Sequence, residues 1–186
     1  MSDTGWVRGG SVANNSAVGG TNTWGNPNLA IDGDIVTYSA TNIIPVTEYT
    51  QYLQVTNFGF SISVGSTIDK ISVRAFLDRF GNTGARDGYI KLVKGGTAGG
   101  TNVATATAWS NGYKEWSGDS YGLWGNTLSA TDINSSSFGV AISGHANNTG
   151  TNVGFKVYDV QITVYYTPET PPTVGTKYPL PPFKIT

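Results

Sequence analysis

The sequence contains no cysteine and a single histidine. The first absence excludes a disulfide framework, a thiolate zinc or iron–sulfur site and a cysteine nucleophile. The second excludes a multi-histidine metal centre. Charge is also scarce. Asp, Glu, Lys and Arg make up 12 % of the 186 residues, about half the usual share. A net charge of −1 leaves no basic footprint for nucleic acid or anionic lipid. No apolar run approaches the roughly 20 residues that span a bilayer. The opening Met1-Ser2-Asp3-Thr4-Gly5 lacks the basic and apolar parts of a signal peptide. The expectation is therefore no nucleic-acid partner and no membrane partner.

What the sequence does contain is small and polar, with 25 glycines and many Thr, Ser and Asn. A disordered chain can have such a composition, but this one is also 12 % aromatic and 38 % hydrophobic. Its apolar residues alternate. Thr suits strands, while Gly and Asn suit turns. A folded all-β domain is the expectation.

The alternation gives the elements. Ile71, Val73, Ala75 and Leu77 share one face of a strand, with Phe76 and Phe80 on the other, so that second face is not purely solvated. Phe58, Phe60, Ile62 and Val64 also share a parity, and Gly65-Ser66-Thr67 suggests a hairpin joining the two runs. Tyr89 to Lys94 makes a strand, Gly95 to Gly100 a turn, and Val103 to Trp109 a return. Tyr113 to Trp116 and Phe138-Val140-Ile142 add two more, the latter ending in a loop over Gly144 to Asn148. Ser129 to Asn134 allows one helical turn. In the last strand Val153, Phe155 and Val157 are odd-numbered, while Val160, Ile162, Val164 and Tyr166 are even-numbered. Period two permits this only if a residue is inserted, which predicts a β-bulge near Tyr158-Asp159.

The predicted fold is an antiparallel β-sandwich of about eight strands, jelly-roll-like, over residues 1–167 with an irregular segment at 1–23. Residues 168–186 stand apart, because six of the eight prolines lie there. They predict an extended, polyproline-like arm. Its Tyr178, Leu180, Phe183 and Ile185 are candidate anchors for docking on a neighbouring subunit, since preset proline torsions lower the ordering cost.

Catalytic constellations are missing. The carboxylates are scattered, no Gly-x-Ser-x-Gly elbow occurs, and Gly96-Thr97-Ala98-Gly99-Gly100 lacks the ending of a phosphate loop. A non-enzymatic protein without a resident cofactor is expected. His145, in a Gly/Asn-rich stretch, reads as an exposed loop residue. Asp32 and Asp34, around Gly33 and near Asn26 and Asn28, are weak candidates for a Ca²⁺ site, against the ordinary use of Asp-Gly-Asp as a turn. The five tryptophans and ten tyrosines read first as core. Trp109 and Trp124 flank strands, whereas Tyr113 and Trp116 are candidates for stacking on a sugar ring.

Three stretches carry a resemblance. They are Trp24-Gly25-Asn26-Pro27-Asn28-Leu29-Ala30 with Asp32 and Tyr38; Leu123-Trp124-Gly125-Asn126-Thr127-Leu128 with Asp132-Ile133-Asn134 and Phe138-Gly139-Val140; and Val160-Gln161-Ile162-Thr163-Val164-Tyr165-Tyr166-Thr167. Phe58 to Ile62 and Gly65 to Ile68 fit between the first two. Over residues 24–167 the chain resembles a β-sandwich family of tailed-phage virion proteins, used in head decoration (cement) proteins and fibre-like appendages. The resemblance implies a structural protein of the virion, on the outer surface of the capsid and made in the host cytoplasm. The implied partner is the major capsid protein, and the implied state a homo-oligomer, a trimer first. It supplies no catalytic residues. A fainter likeness joins Asn28-Leu29-Ala30-Ile31-Asp32-Gly33-Asp34 and Thr37-Tyr38-Ser39 to discoidin-type domains. It implies a sandwich that binds carbohydrate, as a fibre or surface-recognition module.

Overall fold

The closing strand organises the molecule. A computed structural model describes residues 1–16, 20–41, 47–81, 84–147 and 153–170. The proposed arm anchors Tyr178, Leu180, Phe183 and Ile185 lie outside these residues. The described residues form twelve strands, in chain order β1 (Ser2–Asp3), β2 (Val7–Arg8), β3 (Ser11–Asn15), β4 (Trp24–Gly25), β5 (Ser39–Thr41), β6 (Tyr52–Thr56), β7 (Thr67–Gly81), β8 (Ala85–Lys94), β9 (Thr97–Gly99), β10 (Gly112–Trp116), β11 (Gly139–Ala146) and β12 (Val153–Thr167). Two short helices, α1 (Gly118–Tyr121) and α2 (Ala130–Asn134), separate β10 from β11.

Two antiparallel sheets face each other. One runs β10-β7-β12-β5-β4, with β1 and β2 also paired to β12, and the other runs β3-β6-β11-β8-β9. From β5 onward each strand lies in the opposite sheet to the one before, except that β9 forms a hairpin with β8. The order β10-β7-β12-β5 over β6-β11-β8-β9 is the doubly wound path of a jelly roll. Eight strands, β5 to β12, make this core, of which β7, β8, β10, β11 and β12 match runs expected from alternation, and β1 to β4 extend its edges.

The inserted residue in β12 is where parity placed it. Val157 lies opposite Leu77 and Asp159 opposite Phe76, leaving Tyr158 as the extra residue. Val157 and Val160 are therefore both fully buried. The core between the sheets is built on large rings. Trp109 meets Phe155 edge-on at 4.9 Å between centroids, and Trp24 stacks beyond it at 6.4 Å. Trp24, Trp109, Trp116 and Trp124 are all within 2 % of full burial. Each indole N–H has an acceptor: the Gln51 carbonyl for Trp24, Asp87 for Trp109 and Trp116, the Ile71 carbonyl for Trp124. That satisfaction is what allows so much indole to be buried.

Several expectations need correction. Residues 57–66 form no strand. Phe58, Phe60 and Ile62 are buried as their parity requires, but Val64 is exposed. The backbone of this stretch bonds instead to a side chain, since the Ile62 N–H donates to Asn134 Oδ1 and Asn134 Nδ2 donates to the Ile62 carbonyl. The return over Val103 to Trp109 is only partial. Asn102 Oδ1 accepts the Ile90 N–H, Val103 and Trp109 N–H groups reach the Ile90 and Ala85 carbonyls, and no continuous strand forms. The segment 1–23 is less irregular than expected, because β1, β2 and β3 pair with distant partners in β12 and β6. The helical turn at 130–134 is present, closed by a reciprocal capping box between Ser129 and Asp132. Those bonds, first from the Ser129 hydroxyl and then from its N–H, hold the Asp132 carboxyl below its ordinary pKa.

Candidate functional site

The bulge has a second effect, on the outer face of the seven-stranded sheet. It keeps the core residues of β12 inward on both sides and turns Tyr158 toward rings on neighbouring strands. Tyr113 on β10 lies directly opposite Phe76 on β7. Their rings meet edge-on at 5.2 Å; Phe76 then meets Tyr158 at 5.3 Å, and Tyr158 meets Tyr38, just before β5, at 5.0 Å. Adjacent strands are about 4.8 Å apart, so one ring per strand makes a ridge running across the sheet. Its two ends stand clear, with Tyr113 47 % and Tyr38 37 % exposed. Phe80 continues the apolar surface along β7, and its ring occupies the space a side chain at Gly154 would need.

Charged groups flank the ridge and are consumed by it. The Arg74 guanidinium lies between the rings of Trp6 and Tyr113, 4.4 and 4.6 Å from their centroids. It also donates twice to Gln161 Oε1, at 2.9 and 2.7 Å. Beside it the fully buried carboxylate of Asp159 accepts from Arg8 Nε and Nη2, from the Tyr113 hydroxyl at 2.8 Å and from Gln161 Nε2 at 2.6 Å. Partial burial and the bond to Asp159 raise the Tyr113 pKa, so its hydroxyl stays a donor at neutral pH. Lys156 sits over the Tyr38 ring at 4.7 Å while pairing with Asp78 at 3.6 Å. Along the free side of β10, an open depression of about 220 Å³ is lined by Leu77, Thr107, Ser110, Tyr113 and Lys114. Planar stacking surfaces with fixed donors suit binding. No nucleophile beside a base is formed here.

Among the described residues, the predicted site residues Asp32, Asp34, Tyr113 and Trp116 do not converge on one position. Tyr113 is on the ridge. Trp116 is not, and the proposal that it stacks on a sugar is corrected: it is 1 % exposed and donates its N–H to Asp87 at 3.1 Å. Asp87 is a buried node that also accepts from Trp109, Lys114 and the Thr105 N–H and hydroxyl. Asp32 and Asp34 lie on an exposed loop beside Arg8 and use their oxygens locally. Asp32 accepts from the Asp34 N–H at 2.9 Å and the Thr37 hydroxyl at 2.7 Å, and Asp34 accepts from the Val36 N–H at 2.8 Å. These bonds, the Asp34 N–H first, lower the Asp32 pKa. Among the described residues no three His, Cys, Asp or Glu side chains converge on a possible metal position. The geometry is that of nested turns.

His145 is not an exposed loop residue, because β11 continues through Ala146. Its ring stacks on Tyr49 at 4.2 Å, and Tyr89 and Tyr52 extend the group over the outer face of the five-stranded sheet. Burial, then the nearby Arg86 charge, lowers the His145 pKa. Desolvation, with Tyr89 beside it, pushes Tyr52 up to about 12.

Comparison with protein-family models, with curated proteins and with solved structures gives no match. The class defined here is therefore architectural: an all-β jelly roll with one aromatic outer face open at its ends.

Proposed function

We propose that this protein is a non-enzymatic structural component of a phage particle, a decoration (cement) protein that binds and stabilises the assembled head as a homo-oligomer. The observation that carries this reading is the ridge Tyr113-Phe76-Tyr158-Tyr38 on a jelly roll of low charge. It is a surface for contact by shape and apolar area, while the buried charges beside it are already spent on internal bonds. Jelly rolls serve as capsid building blocks, and apolar contacts of this kind are insensitive to salt. Binding to the assembled shell and not to free subunits stabilises the shell by mass action.

Quantitative mass spectrometry of purified particles tests the reading. Hundreds of copies per particle support a shell protein, a few dozen move it to an appendage, and its absence from the particle overturns the proposal. A second reading, a carbohydrate-binding surface module, is favoured by the exposure of Tyr113 beside Trp6 and Arg74. It expects glycan binding that Tyr113→Ala abolishes. A glycan array that stays blank with calcium present sinks it.

A further inference from the structure

The aromatic ridge and the proline-rich arm have matching dimensions. The three ring-to-ring steps from Tyr113 to Tyr38 span about 15 Å across the sheet, and five residues of polyproline II, at about 3.1 Å each, span the same length. Pro179-Leu180-Pro181-Pro182-Phe183 is such a five-residue run. It has the Pro-x-x-Pro spacing that docks on aromatic-lined surfaces, where the low entropy of the preset helix favours binding. We propose that the ridge is the docking surface for residues 178–185 of a second copy of this chain. The proposal rests on the homo-oligomer reading above and names the surface the arm uses.

The position of the exit favours a neighbour over the chain's own face. The described chain leaves the sheet after Thr167, which lies opposite Thr67 at the far end of β7 from Phe76. Phe76 lies nine residue steps along β7 from Thr67, about 30 Å at strand rise. Tyr178 follows Thr170 by eight residues, about 25 Å in polyproline geometry. Reaching its own ridge would need a reversal at once, where Pro171-Pro172 favours a stiff, extended chain. An arm continuing the direction of β12 would carry its anchors toward another molecule.

Photo-cross-linking of the full chain tests this. The variant Leu180→p-benzoylphenylalanine is prepared from equal parts of ¹⁴N and ¹⁵N protein, irradiated and mapped by mass spectrometry, with the mass measured by light scattering. The expected result is mixed-isotope cross-links to peptides carrying Phe76, Tyr113 or Tyr158. They should be lost on Pro179→Ala/Pro182→Ala, which leaves the sandwich untouched, and weakened by Tyr38→Ser. Cross-links confined to one isotope overturn the proposal, as do cross-links elsewhere on the surface. If the chain is oligomeric but the cross-links miss the ridge, the docking surface is wrong and the oligomer stands. A monomer at every concentration without cross-links removes both. Glycan binding lost with Tyr113→Ala, alongside cross-links that never reach the ridge, assigns this face to sugar and also overturns it.

Discussion

The two sheets of this sandwich each carry aromatics on their outer faces, and they treat them differently. On the five-stranded sheet Tyr52, Val93 and Ala141 are buried beneath Tyr89 and Ala98, with Tyr49 and His145 stacked alongside. That face covers itself. On the seven-stranded sheet the rings form a line with exposed ends, and cations from two strands, Arg74 of β7 and Lys156 of β12, lie against them. Closure depends on what fills the gaps. Rings packed on rings exclude water, whereas rings interleaved with guanidinium and ammonium groups leave their flanks accessible.

The contrast breaks most severely at Arg8. Arg8→Ala strands the Asp159 carboxylate, whose side chain is 0 % exposed, and is expected to cost about 3–5 kcal/mol. Urea unfolding measures it, and the double change Arg8→Met/Asp159→Leu should recover most of the loss, because an apolar pair replaces the charges. Tyr113→Phe keeps the ring but removes one donor to Asp159. A loss of about 1 kcal/mol is expected, additive with changes at His145, since the two faces share no partner. Away from both faces, Asp132→Ala opens the capping box of α2 and should cost about 1 kcal/mol. The smallest effect separates the faces by pH. His145 has a lowered pKa, so the unfolded chain takes up its proton first, near the ordinary value of about 6.5. Stability is full above that pH and falls as pH drops below it. The melting temperature should therefore decline between pH 7.5 and 5.5, less so in His145→Gln. An identical pH profile for the two proteins removes the histidine from the account.

The sequence shows most where a pattern repeats and least where a partner is remote. The parity break at Tyr158-Asp159 was legible because period two admits a single explanation, and the structure has the bulge there. The run Phe58 to Val64 has the same alternation and is no strand. Alternation reports which side is buried, and cannot say whether a neighbouring backbone or Asn134 receives the hydrogen bonds. The first three strands have two to five residues each, too short for a period, and exist only through β12 and β6. Trp116 was misplaced because its acceptor Asp87 lies 29 residues away. Of the ridge, the sequence offered two signs, the phenylalanines off the core parity of β7 and Tyr113 as a stacking candidate. Tyr158 and Tyr38 join them only through the winding of the sheet.

That winding also sets an order of events during synthesis. β12 follows every other described strand, yet it is the one to which β1, β2, β5 and β7 all pair. Until its residues are made, the oldest part of the chain has no edge to join, and Arg8 has no Asp159 to meet. Assembly of the seven-stranded sheet is thus a late, long-range event, of the slow kind expected when loop closure precedes reward. A nascent chain lacking β12 would expose the strands of half a sandwich. That interval is when the chain is most vulnerable to joining the wrong neighbour.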